Sequence, residues 1–272
     1  MVEKIYIARH GVRPSFINST WKSVTGLERD PPLTAYGETQ AEELAQYFLS
    51  LPEEERPTAL FSSPYYRCLQ TSKPVANALN IPIYVEHGVA EWYSPATPGT
   101  GLHPRPGSSA SLKEYISEID RSWETIWYPS RKGETVDEIH NRIDGFLELF
   151  VPTVEQKFHE KAARILIVSH AATTISLVMS LVGDRNLRFN VGCCSLSELK
   201  RRPGASNVVG GWEALKVADG THLDAGSSRD WGFADIEVEE GKVVDDPGVP
   251  GTEDEVDHPV GPQIPLHMNS NL

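Results

Sequence analysis

The sequence predicts an α/β fold, a three-layer α/β/α sandwich with a mainly parallel central sheet. Short apolar segments rich in β-branched residues alternate with longer segments of helical periodicity over the first two thirds of the chain. This order requires crossover connections, which make the strands parallel and place helices on both faces of the sheet. Segments with strand patterns but no intervening helices follow, and we expect them to add antiparallel strands at 193–200, 212–218 and 232–239.

The predicted parallel strands are short, apolar segments. Residues 4–10 alternate between β-branched or aromatic residues and smaller ones, which is typical of a strand. Pro82 indicates an edge strand or the start of a strand, because proline cannot donate a ladder hydrogen bond. The other strands of this group are predicted at 58–62, 81–85 and 164–169.

The predicted helices follow from apolar periodicity and from their end signals. Pro64 is placed in a first helical turn, and Pro74 is expected to break that helix. Thr135 and Glu138 have the spacing of a capping box at the start of a later helix. Residues 94–107 are rich in Pro, Gly, Ser and Thr, which predicts a long loop. The remaining helices are predicted at 34–51, 110–126, 135–162 and 171–182.

The composition is that of an ordinary globular protein. With 272 residues, 39% of them hydrophobic and 23% charged, the chain is long enough for one large α/β domain. It contains no run of about 18 apolar residues and no signal-peptide pattern, so we expect no membrane partner. Three cysteines, two of them adjacent, are a poor disulfide framework. We therefore expect a reducing compartment, cytoplasmic or nuclear.

Negative charge is concentrated near the C-terminus. The net charge is −13, and residues 237–272 carry nine acidic residues and one lysine. This balance argues against direct binding to nucleic acid phosphates. The Pro, Gly and acidic content after residue 240 predicts a disordered tail that folding does not require. We therefore expect a domain over 1–240 and a tail over 241–272.

A cationic histidine motif ends the first strand. His10 follows Arg9 and precedes Gly11, and Arg13 comes two residues later. Like-charge repulsion from the guanidiniums lowers the pKa of the imidazole and keeps it neutral. A neutral imidazole among guanidiniums is suited to attack on a phosphoryl group.

Three more polar residues follow predicted strands. Arg67 lies in the first turn of a helix after the second strand, Glu91 follows the third, and His170 lies where the 164–169 strand meets a helix. The carboxyl ends of parallel strands share one edge, where open α/β sheets bind ligands. We therefore predict a phosphate pocket with an acid beside it. We also expect Arg67 and the N-terminal amides of its helix to bind one anion.

These segments, together with 33–41 and 133–135, resemble branch 1 of the histidine phosphatase superfamily, in order over most of residues 1–200. The resemblance implies a phosphoglycerate mutase-like fold and a phosphatase whose nucleophile His10 becomes phosphohistidine. It implies that Glu91 donates a proton to the leaving group. It assigns the binding of phosphoryl oxygens to Arg9, Arg67 and His170. It implies no metal and no other cofactor, because the arginines supply the positive charge.

Two short sequence patterns indicate which members of the superfamily this chain resembles most. Mutases of this superfamily usually continue the motif with Glu-Ser, whereas here Val12 and Arg13 follow Gly11, which favours a phosphatase in which Arg13 binds phosphate. The pair Glu91-Trp92 is similar to phosphotyrosine-directed Sts phosphatase domains. It implies a phosphotyrosine peptide or another aromatic phosphate ester as substrate. Trp92 is a candidate to stack on the substrate ring, with packing in the core or in a lid as the alternative. The loops 14–32 and 93–109 are expected to set specificity.

Other functions stay open. The segments are closer still to fungal histidine phosphatase domains, one of which belongs to a transcription factor IIIC subunit while others are free-standing. This resemblance implies an association with a transcription complex, and a non-catalytic phosphate-binding or assembly module is one alternative. A mutase or sugar bisphosphatase is another. Cys68, Cys193 and Cys194 lack an arginine six positions later, which excludes a cysteine-dependent phosphatase and favours a packing role.

Overall fold

A seven-stranded sheet forms the centre of the computed structural model, which describes residues 1–16, 20–159, 163–235, 238–239, 242–243 and 246–263. From edge to edge its strands are β4 (Ile119–Asp120), β3 (Ile83–Val85), β2 (Ala59–Ser62), β6 (Arg164–Ser169), β1 (Lys4–Arg9), β8 (Leu196–Arg201) and β9 (Trp212–Asp219). The first five strands are parallel to one another, whereas β8 pairs with β1 in antiparallel fashion and β9 pairs with β8 in the same way. Three small sheets pair β7 (Val191–Cys193) with β10 (Ser228–Trp231), β11 (Val238–Glu239) with β12 (Lys242–Val243), and β5 (Trp127–Tyr128) with β13 (Gly261–Pro262).

Helices cover both faces of the sheet, as predicted. Ile5 and Ile7 of β1 pack into one apolar cluster with Phe146, whereas Tyr6 and Ala8 pack into a second cluster on the opposite face. Successive strand residues point to opposite faces, so burial of both sets requires a helix layer on each side. The helices are α1 (Ala35–Ser50), α2 (Tyr66–Leu79), α3 (Ser109–Leu112), α4 (Val136–Phe158) and α5 (Ala171–Val182).

The helix predicted at 110–126 is wrong. Only the short helix α3 forms, and the rest of that region consists of β4 and of turns and loop that lead to β5. The physical reason is the buried carboxylate of Glu86, which accepts hydrogen bonds from Trp123 Nε1 at 2.9 Å and from the backbone amides of Ile126 and Trp127 at 2.9 and 3.3 Å. These tertiary bonds draw the backbone out of a helix, so local propensity does not decide the structure.

Other predicted boundaries also shift. Pro74 does not break α2, which continues to Leu79 and loses only the hydrogen bond that proline cannot donate. The predicted strand 193–200 is two strands, because the chain turns at Cys194, whose φ is 54°. Of the strand predicted at 232–239, only β11 forms within the described residues, because β10 ends before it at Trp231 and Phe233–Asp235 is a short 3-10 helix. Helix α4 ends at Phe158, and the last predicted residues of that helix, 160–162, lie outside the described residues.

The C-terminal segment 246–263 packs against the domain, so the expectation of a disordered tail is wrong for these residues. Asp257 accepts hydrogen bonds from Arg105 at 3.0 Å, Ser130 Oγ at 2.8 Å and the Arg131 amide at 2.9 Å. Asp246 pairs with Arg29 at 2.7 Å. The acidic side chains that contributed to the prediction of a disordered tail pair with cations on distant loops. Residues 264–272 of the predicted tail lie outside the described part of the chain.

The cysteines agree with the expected packing role. Cys68, Cys193 and Cys194 are free thiols, and all three are buried. Among the helices of the described residues, none has both the length and the apolar character needed to span a bilayer.

We expect truncation after residue 245 to destabilise the protein. The deletion removes the Asp246 and Asp257 contacts and the β13 pairing, and each lost hydrogen bond costs about 1 kcal/mol. A loss of several such bonds lowers the melting temperature by roughly 5 °C or more in a chain of this size. Calorimetry of the truncated chain checks this, with deletion of 264–272 as the control that keeps every named contact. A melting temperature equal to that of the full chain would contradict the packing role of 246–263.

Candidate active site

The residues predicted from strand ends converge at one edge of the sheet. Arg9 and His10 end β1, Arg67 lies in the first turn of α2, and His170 joins β6 to α5. A cavity of about 520 Å³ opens at this edge, and Arg67 and His170 lie directly behind its wall, in contact with Glu91. The cavity is lined by Arg9, His10, Arg13, Ser15, Trp21, Arg29, Glu91, Trp92, Tyr93, Ala171, Ala172 and Trp231.

His10 has one ring nitrogen fixed and one available. Its side chain is buried, and Nδ1 lies 2.8 Å from the carbonyl oxygen of Gly11. A carbonyl oxygen only accepts, so Nδ1 carries the proton and Nε2 keeps its lone pair. Burial, followed by the charges of Arg67, His170, Arg9 and Arg13, lowers the pKa of His10 well below its usual range. The predicted direction is confirmed, although burial contributes more than the arginines.

Arg67 is a fully buried fork with partners on two sides. Its Nη1 donates to Asp30 Oδ1 at 3.0 Å, and its Nη2 lies 3.0 Å from Glu91 Oε2 and 3.1 Å from His170 Nδ1. Its Nε is buried and has no hydrogen-bond partner among the described residues. A buried donor without a partner is unfavourable by about 1–3 kcal/mol, which an incoming anion would relieve.

The oxygen of Glu91 completes a triangle with Arg67 and His170. Glu91 Oε2 lies 3.2 Å from His170 Nδ1, and the other ring nitrogen of His170 lies 2.7 Å from Ser63 Oγ. Burial lowers the pKa of His170 to about 4, with Glu91 opposing the shift and Arg67 adding to it. Burial raises the pKa of Glu91, but contact with His170 and the charges of Arg67 and Arg13 outweigh it and hold the pKa below its usual range. Glu91 is therefore ionised in the free site.

The two other arginines reach the same cavity from β1 and the chain after it. Arg9 Nη1 donates to the carbonyl oxygens of Val191 and Arg229, both at 2.6 Å, which orients the side chain. Burial and the neighbouring Arg67 lower the pKa of Arg13 to about 10, which leaves it charged at neutral pH. The site thus presents several fixed cations around one imidazole nitrogen.

Arg67 and the N-terminus of α2 do meet on one anion, as expected, but that anion is the side chain of Asp30. The amide of Tyr66 donates to Asp30 Oδ2 at 2.8 Å, so an anion of the protein itself occupies that helix end. The helix that opens onto the cavity is α5, whose first residues Ala171 and Ala172 line it. The side chain of its N-cap residue, His170, accepts no hydrogen bond from the helix amides. A helix N-terminus favours a negative charge.

Sequence reasoning missed several residues of this site. Asp30 and Arg29 come from the loop 14–32, which was expected to set specificity, but no periodic pattern marks either residue. Trp231 comes from β10, a strand added far along the chain. Trp92 was predicted to bind substrate and does line the cavity, with its Nε1 donating to the Glu134 carbonyl oxygen at 2.8 Å.

The donor set fits an anion better than a metal ion. His10, Glu91 and His170 each offer an atom within 4.8 Å of the others, and such ligands can bind a divalent cation. However, Arg9, Arg13 and Arg67 converge on the same region, and their charge repels a cation and attracts a phosphate.

Comparison with known proteins agrees with this geometry. Residues 5–212 match the model of the histidine phosphatase superfamily, branch 1. The transcription factor tau 55 kDa subunit of Saccharomyces cerevisiae is 39% identical over 210 residues, which are 73% of this chain and 47% of that protein. The ecdysteroid-phosphate phosphatase of Drosophila melanogaster is 25% identical over 244 residues, which are 76% of this chain and 31% of that protein. The chain spans less than half the length of these two relatives.

Solved structures share the fold. The ecdysone phosphate phosphatase of Bombyx mori, in complex with tungstate, superposes with a TM-score of 0.61 at 16% identity, over 79% of this chain and 93% of that one. A phosphoserine phosphatase variant of Entamoeba histolytica, in complex with phosphoserine, gives 0.51 at 18% identity, over 81% and 98% of the two chains. The expected phosphoglycerate mutase-like α/β fold is confirmed.

We expect His10 and His170 to stay neutral in the folded protein near pH 7. Both pKa values are lowered, whereas histidines of the unfolded chain titrate near about 6.5. The unfolded state therefore binds more protons just below pH 6.5, and the stability that these residues contribute is lost as the pH falls from there toward 4. Ring ¹⁵N NMR over about pH 5–8 checks this, with the urea-unfolded chain as control. A midpoint above pH 6 for either folded histidine would contradict it.

Proposed function

Because the chain belongs to branch 1 of the histidine phosphatase superfamily, we propose that it hydrolyses phosphate monoesters through a phosphohistidine on His10, with phosphotyrosine or another aryl phosphate as substrate. We assign this activity to residues 1–240. The observation that carries the proposal is the fixed tautomer of His10, whose unprotonated Nε2 belongs to a buried imidazole surrounded by arginines.

Phosphate binding starts by displacing a carboxylate. In the free site, Glu91 Oε2 occupies the position between Arg67 Nη2 and His170 Nδ1. A phosphoryl oxygen of the substrate takes that position and accepts from Arg67 and His170. Arg9 and Arg13 neutralise the other oxygens, as guanidiniums do in phosphoryl transfer.

The first chemical step transfers the phosphoryl group to His10. Nε2 attacks phosphorus in line, the bond from phosphorus to the ester oxygen breaks, and the leaving oxygen takes a proton from Glu91. The phosphoryl oxygen takes the place of Glu91 against His170 and balances Arg67 and Arg13, so each cause of the lowered Glu91 pKa is weakened. Substrate binding therefore favours the protonated acid that the step needs.

The second step releases phosphate. Glu91, now ionised, accepts a proton from water while the water oxygen attacks phosphorus and the phosphorus–nitrogen bond breaks. The products are inorganic phosphate and the original neutral His10. Each bond formed is matched by one broken. Glu91 holds the proton taken from water while phosphate is bound, and it returns to the ionised state of the free site when phosphate leaves.

Aromatic side chains support the choice of an aryl ester. Trp21, Trp92, Tyr93 and Trp231 line the cavity around the cationic base. Trp92 and Trp231 lie 6.5 Å apart between ring centroids, and both contact Phe233. Flat apolar walls bind a ring by burial and stacking. The Drosophila melanogaster relative, by its name, acts on an ecdysteroid phosphate, which is consistent with a phosphate ester as substrate.

A second candidate function has its own support. The yeast relative at 39% identity is named as a transcription factor subunit, so a phosphate-binding assembly module with a nuclear partner is the alternative. Both functions use the same pocket, and only the first makes and breaks a phosphohistidine.

We expect the wild-type chain to turn over p-nitrophenyl phosphate and His10→Ala to lose at least about a thousandfold in kcat. Rapid denaturing quench of the wild type with ³²P-labelled substrate should trap an acid-labile phosphohistidine that His10→Ala lacks. His258→Ala, a change at an exposed histidine outside the cavity, serves as control. A folded wild type that binds phosphate without turnover or label would favour the assembly module instead.

We expect Trp231→Ala to lower kcat/KM for p-nitrophenyl phosphate by about tenfold, because loss of an aromatic wall removes roughly 1–2 kcal/mol of ring contact. Glycerol phosphate, which carries no ring, is the internal control and should change less than twofold in the same variant. Equal losses for both substrates would argue against an aryl-binding wall.

A further inference from the structure

Asp30 is a buried carboxylate that the proposed reaction does not use. Its side chain has no exposure, although carboxylates are rarely buried unless cations or donors surround them. It belongs to the loop that precedes α1, yet its partners lie on α2. The contacts of Asp30 therefore indicate that it acts on α2.

Two contacts tie Asp30 to the first turn of α2. Oδ1 accepts from Arg67 Nη1 at 3.0 Å, and Oδ2 accepts from the amide of Tyr66 at 2.8 Å. Tyr65, which immediately precedes the helix, makes no side-chain capping bond. Asp30 therefore supplies the missing cap and a favourable negative charge from another loop.

These contacts fix the plane of the Arg67 guanidinium. Because Nη1 is held by Asp30, and also donates to the Arg29 carbonyl oxygen at 3.3 Å, the direction of Nη2 follows from the planar geometry of the group. Nη2 is the nitrogen that meets Glu91 and His170. Asp30 thereby determines the direction of Arg67 Nη2, which points to the position assigned to a phosphoryl oxygen.

The backbone beside Asp30 is shaped for this arrangement. Arg29 has a φ of 58°, in the left-handed region that a non-glycine residue seldom adopts. In this conformation the Arg29 carbonyl oxygen reaches Arg67, while the Arg29 side chain reaches the cavity and lies 5.5 Å from the centroid of Tyr93. The turn thus brings two acceptors to one guanidinium.

We propose that Asp30 is a positioning residue. By holding Nη1, it fixes the plane of the Arg67 guanidinium and so directs Nη2 at the position of the transferring phosphoryl oxygen, which Glu91 fills in the free site. Without this second carboxylate, Arg67 would have Glu91 as its only anionic partner among the described residues that contact it. Arg67 and Glu91 already touch in the free site, and without Asp30 no carboxylate among these residues would hold the guanidinium in place once phosphate displaces Glu91. The proposal rests on the proposed function for its catalytic meaning, but its binding consequence can be measured separately.

The test uses Asp30→Asn in the full chain. Inorganic phosphate is the binding probe, measured by isothermal titration calorimetry, and p-nitrophenyl phosphate is the kinetic probe. We expect the Kd for phosphate to rise about tenfold and kcat to fall by about tenfold or more, since misorientation of a binding group is felt most in the transition state. Partial unfolding alone would lower the active fraction and leave the Kd unchanged.

Asp257→Asn is the matched control. Asp257 is also an aspartate with an arginine partner at 3.0 Å and a backbone amide partner at 2.9 Å, but it does not line the cavity. We expect it to lower the melting temperature while leaving the phosphate Kd within about twofold of wild type. In an Arg67→Lys background, Asp30→Asn should change the phosphate Kd less than in wild type, because lysine has no planar guanidinium for Asp30 to orient.

A phosphate Kd for folded Asp30→Asn within twofold of wild type would overturn the proposal. If Asp30→Asn does not fold, Asp30→Glu takes its place, because it keeps the charge and displaces the carboxylate by one methylene. Wild-type phosphate affinity in that variant would likewise overturn the proposal, and weaker affinity at a retained fold supports it. A wild type that binds phosphate without hydrolysing esters refutes the proposed function but leaves this binding comparison decisive.

Discussion

Burial of guanidinium groups is the constraint on which the rest of this site depends. Arg67 is fully buried and Arg9 is 5% exposed, so both are withdrawn from water at a large cost in solvation. The cost is offset only where acceptors surround the cations. Asp30 and Glu91 meet Arg67, and two backbone carbonyls meet Arg9. The loops that supply these acceptors are therefore bound to the sheet edge by the cations themselves.

Burial, together with the charges around them, determines the protonation states of the groups between these cations. His10 and His170 are neutral near pH 7, and Glu91 is ionised, because each state minimises repulsion or maximises attraction in a poorly solvated space. A bound phosphate dianion would balance the cations and remove the reason for Glu91 to ionise. In the proposed reaction, substrate binding and preparation of the proton donor are thus one electrostatic event.

Much of the site was predictable from strand ends, and the reasons for the failures are specific. His10, Arg67 and His170 each follow an apolar strand, and parallel strands bring their carboxyl ends together whatever their loops do. The helix expected at 110–126 failed because a single buried acid, Glu86, binds the amides there. The prediction of a disordered tail failed because composition gives the number of charges but not their partners in space. Asp257 has three hydrogen-bond partners.

The sequence by itself determined the order of the first parallel strands and of the long helices between them, the burial of both sheet faces and the presence of a cationic pocket around one histidine. These features arise from periodicity and from residues adjacent along the chain. Only the tertiary structure decided that Asp30 orients Arg67, that Gly11 sets the His10 tautomer and that Asp246 holds Arg29. The first and last of these pairs join residues 37 and 217 positions apart. The His10 tautomer depends on the direction of a neighbouring carbonyl, which the folded backbone sets. Such pairings depend on distance in space, which no local pattern encodes.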